Sequence, residues 1–267
     1  MKRLSVIVAA YNAEAYIDRC ISSILSQNAD VEIVVVNDGS TDKTSDILAR
    51  YSEIKLVELE KNSKNIARVR NIGLENASGE FITYCDADDF YMPDALNKIL
   101  ELQQKTDADI VRFSHMLVFE DGSRKRPFDG TFEDEFVEKS GFVEKVYPYF
   151  IDGIGLNSVC LAVFRRKVVE NIRFDEYFQT AEDAAFSIEA YTNANSVLFC
   201  SEPFYCYYRH GNSLTGSGLS IYKKYKYNFA FAKKTLRFLP QWGMNTLAWR
   251  IRAMLRPLKI TIDKIRR

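Results

Sequence analysis

Short apolar runs alternate with amphipathic segments through the first third of the chain. Leu4 to Ala9 is a run rich in β-branched residues with almost no polar alternation, typical of a strand covered on both faces. Ile17 to Leu25 repeats apolar residues at helical spacing, and Val31 to Val36 is a second strand of the buried type. Ile54 to Leu59 and Phe81 to Cys85 continue the series. The pattern therefore predicts strands that alternate with helices.

Predicted helices fill the intervals between these strands. Ala67 to Asn76 and Pro93 to Gln104 have helical character, and Asp109 to Phe119 is a further strand. Because a strand–helix–strand unit brings its second strand back parallel to the first, we expect an α/β fold. Its sheet should be doubly wound, mostly parallel and flanked by helices.

The pattern is less regular after about Gly122. It resumes with a predicted strand over Val159 to Phe164, a helix over Glu182 to Asn193 and a strand over Val197 to Cys200. From Ile221 onward the chain mixes aromatic, leucine and cationic residues in helical segments. We expect one domain over residues 1–220, whose halves are 1–120 and 121–220, and a helical C-terminal extension over 221–267.

Charge separates this extension from the rest of the chain. The 267 residues carry 36 Lys or Arg and 36 Asp or Glu, but 221–267 holds thirteen of the cations and one acid. Cations interleaved with aromatic and leucine side chains favour a peripheral contact with an anionic membrane surface. The alternatives are a helix face packed on the acidic body and a nucleic-acid surface. Since no nucleic-acid-binding module is recognisable, we expect no nucleic-acid partner.

Cysteine usage and apolar segments bear on the compartment. The five cysteines are scattered without metal-binding spacing, which favours reduced thiols in the cytosol. The apolar run after Met1 to Arg3 is short and leads straight into a turn, so a buried first strand is the better interpretation than a signal peptide. Tyr147 to Phe164 contains proline and glycine and does not suit a membrane span. We expect a cytoplasmic protein, peripheral on the inner face of the cell membrane.

Polar residues follow three of the predicted strands. Tyr11 and Asn12 follow the first, Asn37 to Ser40 follow the second, and Asp86 to Asp89 follow the strand that ends at Cys85. In a doubly wound sheet, ligands bind beyond the carboxyl ends of the strands. These three junctions are therefore the candidate ligand site.

The acidic junction is the sharpest of these signals. Asp86 and Asp88, two positions apart on one turn, can direct oxygen ligands at a single Mg²⁺ or Mn²⁺ ion and leave room for phosphate oxygens. The alternative is structural, because aspartates cap helices and Pro93 follows where a helix would begin. The motif alone leaves both interpretations open.

The order of the motifs resembles that of family 2 glycosyltransferases. The segments that carry the resemblance are Ser5 to Gln27, Asn37 to Asp42, Ala67 to Gly79 and Phe81 to Asp89. The likeness is close over about the first 100 residues and loose to about residue 215. It implies a GT-A fold, a nucleotide-sugar donor bound by residues 1–120, an acceptor bound by 121–220, a divalent cation (Mn²⁺ or Mg²⁺) and inversion at the anomeric carbon.

The resemblance also implies roles for single residues. The aspartate matching Asp38 contacts the nucleotide base, and the arginine matching Arg70 lies near that base or the diphosphate. Asp86 matches the acid that faces the ribose, and Asp88 matches the metal ligand. The remaining donor-binding candidates are Ala9, Tyr11, Ala87 and Arg209.

Two positions depart from the family pattern, and a late loop follows it more weakly. Many members have proline in place of Ala9, and alanine commonly stands where this chain has Val69. Arg68 and Arg70 both lie at the start of one helix, so either could face the donor. Tyr208 to Ser213 resembles a loop that closes over the diphosphate, with Arg209 and His210 as lid residues and His210 as a second candidate metal ligand.

The reaction also requires a base that removes the proton of the acceptor hydroxyl. Thr180 to Asp183 could serve only to cap the helix that follows. However, Phe174 to Phe186 resembles the family segment whose Glu-Asp pair supplies the base, usually the aspartate. The resemblance thus identifies Asp183 as the general base.

These features together predict an inverting hexosyltransferase. It would move a hexose or N-acetylhexosamine from a nucleotide sugar, UDP-linked by family frequency, to a saccharide or lipid-linked saccharide acceptor in polysaccharide or lipopolysaccharide biosynthesis. A nucleotidyltransferase is one alternative, but Ala9 to Glu14 lacks the glycines and cations of a phosphate loop. The other is a homologue that binds a nucleotide sugar without turnover.

Overall fold

Ten strands form a single sheet in the computed structural model, which describes residues 3–127, 133–152, 155–211 and 220–265. The first strand is as apolar as its sequence predicts, and six of its seven residues are buried. The strands are β1 (Leu4–Ala10), β2 (Val31–Asn37), β3 (Ile54–Glu58), β4 (Phe81–Asp86), β5 (Phe90–Tyr91), β6 (Ile110–Phe119), β7 (Arg124–Lys125), β8 (Glu135–Glu138), β9 (Ala162–Arg165) and β10 (Ser196–Arg209).

Helices connect and cover these strands within the same described ranges. They are α1 (Ile17–Leu25), α2 (Thr44–Leu48), α3 (Ile66–Asn76), α4 (Ala95–Thr106), α5 (Phe142–Lys145), α6 (Tyr147–Asp152), α7 (Arg166–Val169), α8 (Glu182–Asn193), α9 (Ile221–Phe238) and α10 (Leu247–Ile265). Short 3₁₀ turns occupy Lys139–Gly141 and Val159–Leu161. The α/β class and the flanking helices are confirmed.

The sheet is mixed. Its main path runs β3-β2-β1-β4-β9-β6-β10-β5, and β1 to β4 pair in parallel as the alternating pattern predicts. β9 enters antiparallel between β4 and β6, while β6 and β10 are parallel to each other. β9 is shorter than the predicted strand because Val159–Leu161 forms a 3₁₀ turn. The doubly wound, parallel arrangement therefore applies to the first four strands.

Close packing of α3 on the sheet sets the position of the site. At Gly73 an added Cβ would lie 2.3 Å from Cγ2 of Ile7, so only glycine lets the helix approach β1 this closely. α3 begins at the side chain of Asn65, which accepts a hydrogen bond from the backbone N–H of Ala67 at 3.1 Å. Arg70, near the start of α3, reaches Asp86 at the carboxyl end of β4.

The two C-terminal helices pack on the body. Trp242 stacks on Tyr147 with ring centroids 4.2 Å apart, and its Nε1–H donates to Oγ1 of Thr192 at 3.0 Å. Lys234 pairs with Glu189 at 2.5 Å. This face of the basic extension therefore packs on the acidic body, as one of the alternatives to a membrane contact predicted. The boundary at residue 220 stays a prediction.

The cysteines and the apolar segment Tyr147 to Phe164 contribute residues to the hydrophobic core. All five cysteines are free and buried. Among the described residues, no helix has the length and apolar character needed to cross a membrane. Tyr147 to Phe164 instead contributes a short helix, a 3₁₀ turn and part of β9.

Candidate functional site

The three polar junctions lie side by side at the carboxyl ends of β1, β2 and β4. In the parallel register Ala9 pairs with Asp86 and Ala10 with Asn37. The loops after β1 and β2 are also joined, because Asn12 Oδ1 accepts a hydrogen bond from the backbone N–H of Thr41 at 2.8 Å. The sheet topology thus brings together the residues that the sequence singles out.

Arg70 lies at the centre of the site. Its guanidinium donates to Oδ1 of Asp86 at 2.9 Å, to Oε1 of Glu182 at 3.1 Å and to Oδ1 of Asp183. Only 4% of Arg70 is exposed, whereas Arg68 is exposed on the outer side of α3. The structure therefore directs Arg70, rather than Arg68, into the site.

Burial and charge act against each other in this cluster. Burial would lower the pKa of Arg70, but the carboxylates of Asp183 and Asp86 raise it well above its ordinary value. Burial raises the pKa of Asp183 well above its ordinary value, and Arg70 opposes that rise. Arg70 is thus the cation that permits several carboxylates to lie in one partly buried site.

Asp88 and His210 form a second cluster beside the first. Nε2 of His210 lies 3.0 Å from Oδ2 of Asp88, and the hydroxyl of Tyr16 lies 3.1 Å from Nδ1 of the same ring. Burial raises the pKa of Asp88, and the hydrogen bond with His210 opposes the rise. The candidate metal ligands are therefore in contact, and Tyr16 holds the histidine ring from its other nitrogen.

This pair fits a divalent cation that takes some of its ligands from the protein and the others from a bound substrate. Within the described ranges, no group of three or more His, Cys, Asp or Glu side chains could hold a metal. A cation at Asp88 and His210 would hence take its other ligands from diphosphate oxygens and water. A carboxylate suits both Mg²⁺ and Mn²⁺, and an imidazole is a donor typical of transition metals. The pair fits Mn²⁺ better than Mg²⁺.

Asp89, the last acid of the junction, is structural. It is buried and accepts hydrogen bonds from the hydroxyl of Tyr205 at 2.7 Å and from the backbone N–H of Tyr208 at 2.8 Å. Tyr205 also accepts a hydrogen bond from the backbone N–H of Asp86 at 3.1 Å. These bonds tie the acidic turn to β10.

Asp38 directly follows β2, at the second of the three polar junctions. It is buried and accepts hydrogen bonds from the backbone N–H and the hydroxyl of Ser63, at 2.8 and 2.9 Å. Gly39 follows with φ +64°, and an added Cβ there would lie 2.4 Å from the backbone of Lys61. The loop that follows β3 therefore packs directly on the Asp38 turn.

The remaining candidates line the site less directly. Ala9 is half-buried and Ala87 buried, while Tyr11 is exposed at the rim. Arg209 is exposed over the ring of Tyr207 at 4.7 Å, beside a cavity of about 390 Å³ whose lining includes His210. Asn212 and Ser213 of the predicted lid lie outside the described residues.

Sequence reasoning missed four residues of this site: Tyr16, Arg19, Ser63 and Tyr205. Arg19 lies between the rings of Phe90 and Tyr208, at 4.5 and 4.0 Å, and donates to the backbone oxygen of Asp88 at 2.9 Å. Tyr16 precedes α1 and Arg19 lies in its first turn, so neither directly follows a predicted strand, which is the signal that identified the other candidates.

The chain is similar in sequence to known glycosyltransferases. The chain is 30% identical over 237 residues to "Putative glycosyltransferase EpsH" of Bacillus subtilis (strain 168), covering 82% of this chain and 67% of EpsH. It is 29% identical over 215 residues to the poly(ribitol-phosphate) beta-N-acetylglucosaminyltransferase TarS of Staphylococcus aureus (strain Mu50), covering 78% of this chain but 35% of TarS.

Solved structures of TarS share the fold. The structure of S. aureus TarS 1–349 in complex with UDP gives a TM-score of 0.69 at 26% identity and covers 87% of this chain and 65% of that one. The complex of TarS 1–349 with UDP-GlcNAc, at 23% identity, gives a TM-score of 0.74 and covers 98% and 81%. The expected GT-A fold is confirmed.

The family itself is shown by a family model. The family model described as "Glycosyl transferase family 2" matches residues 5–173, which include β1 to β4, the acidic junction and Arg70. That match covers more than half of the sequence, and the chain therefore belongs to glycosyl transferase family 2.

Proposed function

We propose that this protein is an inverting glycosyltransferase that uses a UDP-sugar as donor. The sugar is a hexose or an N-acetylhexosamine, and the acceptor is a saccharide or a lipid-linked saccharide. A UDP donor is supported by the UDP bound in the related TarS structure. An N-acetylhexosamine is supported by TarS being named a beta-N-acetylglucosaminyltransferase.

One observation carries the proposal. Arg70 joins Asp86, at the carboxyl end of β4, to Asp183, at the start of α8, through hydrogen bonds from a single guanidinium. The donor-side acid and the proposed base are therefore held against the same buried cation. A sugar bound between the diphosphate site and Asp183 would have its leaving group and its acceptor on opposite sides.

In this proposal Asp183 accepts the proton of the acceptor hydroxyl as its oxygen attacks the anomeric carbon. Burial raises the pKa of Asp183, which makes its carboxylate a stronger base, and Arg70 opposes that rise. Attack from the face opposite the diphosphate inverts the anomeric configuration.

The donor contacts divide among three junctions. Asp38 and Ser63 receive the nucleotide base, Asp86 faces the ribose, and Tyr11 closes the rim. Ala9 and Ala87 offer small side chains where the nucleotide would cross the strand ends, and Arg209 lies on the side of the predicted lid.

A divalent cation held by Asp88 and His210 would, when bound, stabilise the negative charge of the departing diphosphate.

Two other functions are weaker fits. A nucleotidyltransferase would need cations around a phosphate loop after β1, whereas that loop contains Glu14 and no Lys or Arg before Arg19. A non-catalytic nucleotide-sugar-binding homologue would have no use for the Glu182 and Asp183 pair beside Arg70. Both alternatives predict different products, so one assay separates them.

The setting we propose is the assembly of a surface polysaccharide at the cytoplasmic face of the cell membrane. The chain resembles TarS, whose name specifies a poly(ribitol-phosphate) acceptor. The chain spans about two thirds of the length of EpsH and about one third of that of TarS.

The test is donor hydrolysis and binding with a panel of UDP-, GDP- and dTDP-sugars and either Mn²⁺ or Mg²⁺. We expect one UDP-sugar to be bound and slowly hydrolysed to UDP in a metal-dependent manner. The Asp88→Ala variant should lose this activity, whereas Asp46→Ala, an exposed aspartate on α2, should retain it.

The products identify the reaction class. A nucleotidyltransferase would release pyrophosphate from a nucleoside triphosphate, and a non-catalytic homologue would bind a nucleotide sugar without releasing UDP. If folded protein binds no nucleotide sugar with either metal, the proposed function is wrong.

A further inference from the structure

α10 has two opposite faces. Trp249 and Ala253 face the body of the protein, where Ala253 is fully buried. Leu247 lies two positions before Trp249, and Ile251 lies two positions before Ala253. At 100° per residue, each pair is separated by about 200° around the helix axis. The helix therefore packs through one face and presents the other to solvent.

The outward face is apolar. Leu247, Ile251 and Leu255 are 74%, 51% and 53% exposed. Such exposure is unusual for three large aliphatic side chains on successive turns of one helix. Leu258 and Ile262 follow in the sequence at intervals of three and four residues. We call Leu247, Ile251 and Leu255 the apolar stripe. Arg250 and Arg252, both exposed, lie close to it along the helix.

A groove runs beside the apolar stripe, between α6 and α10. Its volume is about 530 Å³, and Ile151, Ile251, Leu255 and Arg256 are among the residues that line it. The groove thus combines aliphatic walls with a cationic residue.

Arg256 is an unusual component of this groove. Only 3% of it is exposed, its guanidinium stacks on the ring of Phe231 at 3.8 Å, and Nε and one terminal nitrogen have no partner among the described residues. A buried cation with unpaired donors is costly unless an anion completes it. Burial lowers the pKa of Arg256 to about 9, so the side chain is still charged at neutral pH.

We propose that the apolar stripe and the adjoining groove form a docking surface for a bilayer containing anionic phospholipid. The aliphatic side chains enter the region between headgroups and acyl chains, and Arg256 and Arg252 meet the lipid phosphates. This inference rests on the proposed function, because it gives the membrane contact a defined face, and it places the active-site domain at the surface from which a lipid-linked acceptor would be drawn.

Charge argues for lipid over a second copy of this chain as the occupant. Residues 221–267 contain thirteen Lys or Arg and one acid, so a symmetric pairing of two stripes would bring like charges together. An anionic bilayer offers the complementary charge and a surface for the aliphatic side chains. The direct partner of Arg252 among the described residues is Asp152, at 2.5 Å, on the rim of the groove.

The test is co-sedimentation of the purified full chain with two kinds of vesicle, phosphatidylcholine alone and phosphatidylcholine mixed with phosphatidylglycerol. We expect binding to the mixed vesicles that weakens with added salt, and little binding to phosphatidylcholine. Ile251→Glu and Leu255→Glu should each lower the binding at least tenfold. Val143→Glu, which changes an exposed valine on α5, should bind like the wild type.

A second variant addresses the groove. Arg256→Met should reduce the preference for anionic over neutral vesicles while keeping the aliphatic contact. Thermal unfolding of every variant is followed by circular dichroism, and Leu255→Glu, an exposed position, tests the proposal even if Arg256→Met fails to fold.

Three results would overturn the proposal: no binding of the wild type to anionic vesicles, unchanged binding of Leu255→Glu, or a wild-type dimer that Leu255→Glu dissociates in the absence of vesicle binding. Binding of UDP is measured in parallel. Vesicle binding without UDP binding would reject the proposed function alone, and UDP binding without vesicle binding would reject the docking surface alone.

Discussion

The guanidinium of Arg70, on α3, donates a hydrogen bond to the carboxylate of Asp183, at the start of α8. The two residues are 113 positions apart in the chain. Arg70 bonds Asp86 at the same time, so one side chain spans the donor and acceptor sides of the site. Movement of α8 relative to the sheet would therefore be resisted by a buried ion pair.

Replacing Arg70 with methionine should destabilise the protein and abolish transfer. The substitution keeps much of the side-chain volume but leaves Asp86, Glu182 and Asp183 close together without a cation. Removing one partner of a buried ion pair costs roughly 3–5 kcal/mol, and we expect a loss of about 3 kcal/mol in the free energy of unfolding, since Asp86 is partly exposed. Urea denaturation followed by circular dichroism measures this loss.

Arg68→Met is the matched control, because Arg68 is exposed on the same helix. Its free energy of unfolding should stay within about 0.5 kcal/mol of the wild type. Equal losses in the two variants would mean that the ion pairs of Arg70 contribute no stability.

Replacing Asp183 with asparagine should remove the proposed base without disturbing the donor site. The transfer rate should fall by about 10² to 10⁴, while UDP-sugar binding is retained. Glu182→Gln is the matched control, since Glu182 contacts the same guanidinium, and it should lose far less activity. Calorimetric donor binding and acceptor-dependent UDP release separate the two effects. A comparable loss of transfer in both variants would count against Asp183 as the base.

The pH dependence of transfer should also reflect Asp183. Burial raises its pKa well above the ordinary value of 3.8, and a base must be unprotonated to act. The rate should therefore fall on the acidic side at a pH clearly higher than an ordinary aspartate would give. Measurement of kcat/KM from about pH 4 to about pH 9 tests this. A rate that stays constant down to the lowest pH would contradict the assignment.

Much of the fold follows from local patterns in the sequence. The predicted helix over Glu182 to Asn193 has the same bounds in the structure, and Val31–Asn37 differs from its prediction by one residue. The antiparallel entry of β9 was not predicted, because strand direction depends on the path of the whole preceding segment rather than on its own residues. Apolar periodicity reports burial, and it carries no information about direction.

The candidate site, too, could be predicted only in part from local patterns in the sequence. The residues of the acidic junction could be identified because they follow a buried strand, and that position alone places them at the ligand edge of the sheet. Tyr16 and Ser63 could not, because each acquires its role from a partner brought close by tertiary packing, His210 for the first and Asp38 for the second. A tyrosine or serine alone has no recognisable pattern.

Glu32 gives a prediction about stability and pH. Burial alone would raise the pKa of Glu32, but hydrogen bonds from Ser5, Ser78 and Gly79 lower it below its ordinary value of 4.5. A lowered pKa in the folded state stabilises the fold above the ordinary pKa, and this stabilisation is lost as the pH falls through the lowered pKa.

The wild type should therefore be more stable than Glu32→Gln at pH 7, and the difference should shrink as the pH falls below about 4.5. Urea denaturation at a series of pH values measures the difference in the free energy of unfolding. Glu101→Gln, at an exposed position of α4, should show no such dependence. A difference for Glu32→Gln that is the same at every pH would refute the interpretation.

Removing the hydroxyl of Tyr16 should weaken metal binding without removing a ligand. The hydroxyl lies 3.1 Å from Nδ1 of His210, and Nε2 of that ring faces Asp88 at 3.0 Å. A hydrogen-bond partner on the outer nitrogen fixes the tautomer and orientation of a metal-binding histidine, and its loss typically costs 10- to 100-fold in affinity. We expect Tyr16→Phe to raise the Mn²⁺ concentration needed for half-maximal donor hydrolysis by about tenfold or more.

The ring contact with His210, at 4.4 Å between centroids, is preserved when phenylalanine replaces Tyr16. Tyr51→Phe, which removes a hydroxyl bonded to Asp18 on the outer side of α1, should leave the metal dependence unchanged. If Tyr16→Phe behaves like Tyr51→Phe, His210 does not bind the metal through the nitrogen that faces Asp88.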